Sequence, residues 1–213
     1  MPKERIKRGL TPRNILDKNF ETFDFENDWF DAFDKPEKYG LYFIWGDSGN
    51  GKTSFIMQVL NQMSKHGKTV FNSLEEGISL PLKKAIKMYG LGDKKKILIV
   101  SEPMADLIER LDKTGHIEVV VIDSWQYMNM SFNEYLAMER RFPKITFIVI
   151  SQADGRQPEG RPAKRMMFHA KLKIWIEGYV AFSKGRFIGE KGLYSIWDKG
   201  AALYHGNDIL NKN

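Results

Sequence analysis

The chain of 213 residues is long enough for one full domain with a buried core. Its 42% hydrophobic and 28% charged residues exclude a wholly disordered chain, and no apolar run reaches the roughly 20 residues that span a bilayer. The net charge of +6 is compatible with a nucleic-acid partner, although charge alone does not identify one.

Cysteine is absent, which excludes disulfides and thiolate metal sites. The N-terminus has charges but no apolar segment behind them, so it does not match a secretory signal. The histidines are scattered without the spacing of metal ligands, and a zinc site is therefore not expected. These features lead us to expect a cytoplasmic protein that does not associate with membranes.

The first 38 residues differ in composition from the rest of the chain. Residues 1–18 are basic and polar and contain Pro2 and Pro12, and we predict a loosely ordered basic arm. Residues 19–38 are rich in aromatic and acidic side chains, which predicts a cap packed on the sheet. The alternative is a segment that docks on a neighbouring subunit or covers part of a ligand.

From Leu41 onwards, predicted strands and helices alternate along the chain. The strands are predicted at residues 41–46, 69–74, 96–100, 117–123 and 145–151. The helices are predicted at residues 53–64, 80–89, 103–113 and 132–142. This alternation with short connections predicts an α/β fold with a mainly parallel central sheet and helices on both of its faces.

The pattern changes after Gln152. Residues 153–165 contain two prolines and two glycines without apolar periodicity, and we predict a loop there. Short strands are then predicted around glycines, as hairpins at one edge of the sheet, at residues 172–177, 179–183 and 193–197. Because no internal repeat is present, we expect residues 39–213 to form a single domain behind the arm and cap of residues 1–38.

Residues 46–53 match the pattern GxxxxGK[ST] between a predicted strand and a predicted helix. The glycines let backbone amides point at phosphate oxygens, and the helix N-terminus adds a favourable dipole. We expect Lys52 to contact the β- and γ-phosphates and the Thr53 hydroxyl to ligate Mg²⁺. This pattern predicts a P-loop NTPase that binds Mg-ATP. Its predicted nucleotide-binding residues are Gly46, Asp47, Ser48, Gly49, Asn50, Gly51, Lys52, Thr53 and Ser54.

Acidic residues follow two of the predicted strands. Asp123 ends the apolar run VVVID and is expected to hold Mg²⁺, directly or through water, unless it only caps the turn before Ser124. Glu75 and Glu76 close the second strand, where a carboxylate can accept a proton from water attacking the γ-phosphate. The position favours Glu75, and solvated strand-end acids are the alternative.

Polar and cationic residues later in the chain add three further candidates. Gln152 ends the fifth strand, where it can contact the γ-phosphate or the attacking water, although a plain polar strand end has the same pattern. Lys184 and Arg186 lie in the stretch KGRF and could reach a phosphate of their own or a neighbouring subunit, or be solvated hairpin cations.

Residues 155–173 carry six basic residues against one acid. A basic loop directly after Gln152 suits a DNA contact regulated by ATP, and a solvated lid is the alternative. The predicted DNA-binding residues are Arg156, Arg161, Lys164 and Arg165.

These motifs together resemble the RecA-like ATPase core in their order along the chain. The SLEE stretch resembles the strand end that carries the catalytic glutamate of RecA, DnaB and RadA proteins, and this likeness selects Glu75. The KGRF stretch resembles the K-N-R-F element of bacterial RadA, whose Lys and Arg are thought to act on the neighbour's ATP. The loop after Gln152 lies where this family has a DNA-binding loop.

The resemblance covers roughly residues 40–200, without a zinc finger, a protease-like domain or a primase-interaction domain. It is most similar to small RecA-like ATPases of phages and prophages, some of which are associated with annealing and recombination. It implies ATP hydrolysis by a homo-oligomeric ring or filament on single-stranded DNA, in recombination, repair or replication. The alternatives are a P-loop small-molecule kinase and a non-hydrolysing ATP-dependent clamp or assembly factor.

Overall fold

The computed structural model describes residues 9–210, so the first eight residues of the predicted basic arm lie outside the described residues. The helices are α1 (Pro12–Leu16), α2 (Asn27–Phe33), α3 (Lys52–His66), α4 (Leu80–Met88), α5 (Met104–Lys113), α6 (Phe132–Arg141), α7 (Gly160–His169) and α8 (Asp198–His205). The strands are β1 (Gly40–Gly46), β2 (Lys68–Ser73), β3 (Ile97–Val100), β4 (Ile117–Asp123), β5 (Thr146–Asp154), β6 (Gln157–Pro158), β7 (Leu172–Glu177), β8 (Val180–Ser183) and β9 (Leu193–Ser195). Over residues 9–210, no helix is both long and apolar enough to cross a bilayer.

One twisted sheet organises the chain in the order β3-β2-β4-β5-β1-β7-β8-β9, with β6 paired to β5. The first six strands of this order run parallel, and β8 and β9 extend the edge antiparallel. In β1, Ile44 lies opposite Ile150 of β5 and Ile174 of β7. The predicted α/β fold, with its parallel sheet and hairpin edge, is confirmed.

Each face of the sheet is covered by its own apolar layer. Along β1, Tyr42 and Ile44 belong to the layer that contains α3 and α4, whereas Leu41, Phe43 and Trp45 belong to the layer of α5, α6 and α7. Both faces are therefore shielded from water, which explains why the central strands are continuous hydrophobic runs in the sequence.

The N-terminal aromatic segment is packed into the layer that contains α3. Phe23, Phe25 and Phe33 are fully buried, and Trp29 stacks on Phe55 of α3 with ring centroids 5.7 Å apart. The segment therefore lies over α3, contacts β9, and reaches the central strand β1 where the ring of Phe23 meets that of Tyr42.

The arm that precedes this segment contains the short helix α1, where the sequence analysis predicted loose order. Thr11 and Asn14 form a reciprocal capping box, and Pro12 occupies the first turn. These local interactions are enough to form one turn of helix, although α1 buries none of its side chains.

The prediction of a loop over residues 153–165 is wrong in its second half. The chain turns at Gly155, which has a φ of +59°, forms β6 with β5 and then enters α7. Ala163, Met166 and Met167 form the buried face of α7, at the spacing of an amphipathic helix. Met166 and Met167 lie beyond Arg165, so residues 153–165 contain too little of the buried face to show its period.

Two other helices were not predicted. The helix α2 has only seven residues, too few to show a helical period in the sequence. The helix α8 contains Gly200, a residue that disfavours helix on intrinsic propensity, and it forms because Gly200 allows close packing against Trp197 and Tyr179.

We expect Phe33→Ala to lower the free energy of unfolding by about 3–5 kcal/mol, because Phe33 is fully buried between α2 and α3. The matched control is Phe30→Ala in the same helix, whose side chain is 39% exposed and whose loss should cost less than about 1 kcal/mol. Urea denaturation of both variants measures the difference. Equal losses would show that α2 is not part of the core.

Candidate nucleotide-binding site

The phosphate-binding loop joins the carboxyl end of β1 to α3 at the centre of the sheet. A Cβ at Gly46 would lie 2.5 Å from the carbonyl oxygen of Ile176, so no side chain fits there. Gly49 and Gly51 have φ values of +78° and +99°, in the left-handed region that favours glycine. The glycine spacing seen in the sequence is therefore required by the backbone of the loop.

Lys52 is the first residue of α3, and its ammonium group turns back over the loop. The Nζ atom donates to the carbonyl oxygens of Gly46 at 2.7 Å and of Asp47 at 2.9 Å. Burial lowers the pKa of Lys52, while Asp123 and Glu75 act in the opposite direction. This ammonium group is thus partly removed from water and surrounded by acceptors, as phosphate binding requires.

Asp123 lies at the carboxyl end of β4, beside the end of the neighbouring strand β2. Its backbone oxygen accepts from the amides of Leu74 and Glu75, at 2.7 and 2.9 Å. Burial, followed by the charge of Glu75, raises the pKa of Asp123 to about 7, and Lys52 partly opposes this shift. A partly buried carboxyl group with a raised pKa is a suitable partner for a cation.

Glu75 is held by two donors from neighbouring strand ends. The Ser124 hydroxyl donates to Oε2 at 2.8 Å, and the side-chain amide of Gln152 donates to Oε1 at 3.2 Å. Gln126, which the sequence analysis did not single out, accepts from the Gln152 backbone amide at 3.3 Å. Over residues 9–210, the Glu76 carboxylate has no comparable side-chain hydrogen bond.

These groups surround an open cavity of about 560 Å³. It is lined by Ser48, Gly49, Gly51, Lys52, Thr53, Ser54, Glu75, Glu76, Asp123 and Tyr179. Of the other predicted loop residues, Gly46 packs against β7, and Asn50 accepts from the Gly178 amide at 2.7 Å. Tyr179 was missed, because in the sequence it is a lone aromatic residue after a glycine.

The residues of the cavity fit a magnesium–nucleotide complex. Mg²⁺ commonly takes one or two protein ligands and completes its shell with phosphates and water. Thr53 offers a hydroxyl and Asp123 a partly buried carboxyl on the same cavity. Within residues 9–210, no three His, Asp or Glu side chains converge into a complete metal cage, and such a cage is not needed for this cation.

Lys184 and Arg186 are not among the residues that line this cavity. The Lys184 ammonium lies over the rings of Trp175 and Phe182, 5.3 and 5.4 Å from their centroids. Both cations are exposed beside β8, and Lys184 borders a second cavity of about 330 Å³ together with Trp45. The structure thus separates them from the phosphate loop of their own chain.

The predicted DNA-binding residues are all exposed to solvent. Arg161, Lys164 and Arg165 lie on the outer face of α7, and Arg156 lies in the turn between β5 and β6. The Arg165 guanidinium is 4.4 Å from the centroid of the Phe132 ring. None of the four forms an ion pair with another described residue, so their charges are available to an anionic ligand.

No family model matches the chain. It is 29% identical over 125 residues to the mitochondrial DNA repair protein recA homolog 3 of Arabidopsis thaliana, a stretch covering 56% of this chain and 27% of that protein. It is 34% identical over 86 residues to Protein RecA of Ureaplasma parvum, covering 38% and 25%. The chain thus spans about a quarter of the length of the curated relatives it matches.

A solved structure shows the same architecture over most of its length. The flagellar accessory protein FlaH from Methanocaldococcus jannaschii superimposes with a TM-score of 0.61 at 13% identity, covering 79% of this chain and 89% of that one. The chain has a RecA-like P-loop fold. The local similarity to RecA proteins agrees with this fold.

The raised pKa of Asp123 predicts a pH-dependent stability of the metal-free protein. Because the folded-state pKa of about 7 exceeds the ordinary 3.8, the folded chain binds more protons between these values, and stability falls as the pH rises through them. Asp123→Asn should therefore stabilise the protein at about pH 8, by on the order of 2–4 kcal/mol, and have little effect at about pH 4.

Thermal unfolding with a chelator present, at both pH values, measures this effect. The control is Asp93→Asn, which removes an exposed carboxylate far from the loop. If Asp123→Asn stabilises the protein equally at both pH values, the stabilisation does not come from the raised pKa of Asp123.

Proposed function

We propose that the protein is a RecA-like ATPase that hydrolyses Mg-ATP and acts on single-stranded DNA. The observation that carries the hydrolytic part is the position of Glu75. Its carboxylate is fixed by Ser124 and Gln152 at the cavity that Lys52 and Asp123 also border. A fixed carboxylate beside a phosphate-binding loop is the arrangement that water activation requires.

Each residue of the cavity has a distinct part in this proposal. The loop amides and Lys52 bind the phosphates and orient the terminal one. The hydroxyl of Thr53 and the carboxyl of Asp123 would hold Mg²⁺, which neutralises phosphate charge when it is bound. Glu75 accepts the proton of the attacking water, and Gln152 orients both Glu75 and that water.

The proposed DNA surface is connected directly to this site through the backbone. Gln152 belongs to β5, which continues through the Arg156 turn and β6 into α7. A movement of Gln152 on nucleotide binding or hydrolysis would therefore be transmitted along a short stretch of backbone to Arg161 and Lys164. The curated relatives carry names of DNA repair and RecA proteins, which favours DNA as the anionic partner.

The positions of Lys184 and Arg186 favour an assembled ATPase. Because neither borders the cavity of its own chain, we propose that they act on the nucleotide of a neighbouring copy in a ring or filament. Cations supplied in this way raise turnover by about 10³–10⁵-fold in well-studied NTPases. A phage or prophage origin, a cytoplasmic location and a role in recombination, repair or replication complete the proposal.

The packing of α7 counts against the small-molecule kinase. A kinase lid has to open and close over its substrates, whereas α7 is anchored on the sheet by the buried side chains Ala163 and Met166. The non-hydrolysing clamp would bind ATP without turning it over, so a change of Glu75 would have no catalytic effect in it, and the following experiment separates it from our proposal.

We expect Glu75→Gln to lower the ATP turnover by about 10²–10⁴-fold, because it removes the proton acceptor and keeps the shape of the side chain. The matched control is Glu76→Gln, which changes the adjacent carboxylate that lacks the Ser124 and Gln152 contacts and should retain most of the activity. Turnover of purified protein with and without single-stranded DNA measures both. If Glu76→Gln abolishes turnover while Glu75→Gln does not, or if both variants keep the turnover of the parent, the assignment of Glu75 is wrong.

We expect the double change Arg161→Ala, Lys164→Ala to weaken binding of single-stranded DNA and to reduce its salt dependence. Removing two phosphate contacts should lower the slope of log affinity against log salt by about 1.4, at roughly 0.7 for each contact on a single strand. The control is Lys94→Ala, Lys95→Ala, which removes the same charge from an exposed turn after α4. Fluorescence anisotropy at several salt concentrations measures the slopes, and identical slopes for both variants would exclude α7 as the contact surface.

A further inference from the structure

The turn between β7 and β8 contains a residue with an unusual backbone conformation. Glu177 pairs with Val180, so the connection consists of Gly178 and Tyr179 alone. Their φ values are +51° and +62°, as in a two-residue hairpin turn with both residues in the left-handed region. Glycine or asparagine suits the second position, whereas a bulky aromatic residue is uncommon there. The tyrosine is therefore not explained by the turn itself.

The turn is attached to the phosphate-binding loop by three interactions. The Gly178 amide donates to Oδ1 of Asn50 at 2.7 Å, and the Tyr179 amide donates to the Asn50 backbone oxygen at 3.1 Å. The tyrosine ring packs against Gly51, where a Cβ would lie 3.0 Å from Cδ1 of the ring. The loop and the turn thus form one structural unit.

The Tyr179 ring is fixed from its other side by α8. Trp197 meets it edge to face, with ring centroids 5.1 Å apart and an interplanar angle of 90°. A Cβ at Gly200 would lie 2.7 Å from Cδ2 of the tyrosine, so this ring also needs a glycine there. Among the described residues that line the cavity, Tyr179 supplies the one aromatic ring.

The strand order shows which end of a nucleotide would meet this ring. Glu75 follows β2, Asp123 ends β4 and Gln152 lies near the end of β5. These three strands all lie on one side of β1. Tyr179 follows β7, on the other side of β1. If the acidic side of the loop receives the terminal phosphate, the nucleoside end extends away from it, towards β7.

We propose that Tyr179 contacts the nucleoside part of the bound nucleotide with its aromatic ring. This inference rests on the proposed function, since it takes the cavity to be an ATP site, and it assigns the residue that reads the base and ribose. An aromatic ring held by its neighbours offers a flat apolar surface to a base without a large loss of side-chain entropy.

The test uses Tyr179→Asn, because asparagine tolerates the left-handed conformation and should preserve the turn. The affinities of this variant for Mg-ATP and for inorganic Mg-tripolyphosphate are measured by equilibrium titration. We expect the affinity for ATP to fall by about 10–100-fold, the range expected for a lost base–aromatic contact, and that for tripolyphosphate to change less than about twofold. Tyr179→Phe, which keeps the ring, should lose less than Tyr179→Asn for ATP.

The matched control is Tyr39→Asn, which replaces the other left-handed tyrosine, with a φ of +64°, just before β1 at the opposite end of that strand from the loop. Its affinity for both ligands should equal that of the parent. Equal losses of ATP and tripolyphosphate affinity in Tyr179→Asn would overturn the inference and show that the ring only shapes the loop. An unchanged ATP affinity would overturn it as well.

Lys52→Ala separates this outcome from a failure of the proposed function. If Lys52→Ala loses affinity for both ligands while Tyr179→Asn changes neither affinity, the nucleotide site is supported and only the nucleoside contact is rejected. Retention of both ligands in Lys52→Ala would instead reject the phosphate loop itself.

Discussion

The placement of β1 between two parallel neighbours is the constraint on which the site depends. Because β5 and β7 both pair with β1 in register, its carboxyl end lies at the centre of the sheet, where Gly46 meets the backbone of Ile176. The phosphate-binding loop therefore starts from a strand that is hydrogen-bonded on both edges, with one strand end on each side of it. The carboxylates reach it from β2 and β4, and the aromatic turn reaches it from β7.

This placement concentrates charge where water is partly excluded. Partial burial and, second to it, the charge of Glu75 raise the pKa of Asp123 to about 7, and Lys52 offsets only part of this shift. Such an arrangement is unfavourable in the protein alone and is retained where a ligand completes it. A cation between the carboxyl group and the phosphates, and phosphates beside Lys52, would supply the missing partners on both sides. The electrostatics and the glycine-rich backbone thus favour the same class of ligand.

The sequence predicted those features that depend on local pattern. The buried strands were found because both of their faces are apolar, and the phosphate loop because its glycines and Lys52 have fixed spacing. The helix α7 was missed because Pro158, Gly160 and Pro162 precede its apolar face. The role of Tyr179 had no local signal, since its contact with Asn50 joins residues about 130 positions apart. Spacing alone also did not decide whether Glu75 or Glu76 is the better candidate for the catalytic acid. In the structure the two differ, because only Glu75 accepts hydrogen bonds from the side chains of Ser124 and Gln152.

Two backbone connections leave the site in different directions, and together they suggest how one nucleotide can influence two distant surfaces. On one side, Gln152 contacts Glu75 and continues into the strand that leads to the cations of α7. On the other side, Asn50 holds the turn that begins β8, and β8 ends next to Lys184 and Arg186. A change at the γ-phosphate would act first on the Gln152 connection, whereas the nucleoside and the loop backbone would act on the Asn50 connection. In the proposed function, the DNA surface and the surface between copies are therefore connected to different parts of the same ligand, so that one could respond to hydrolysis while the other responds to occupancy.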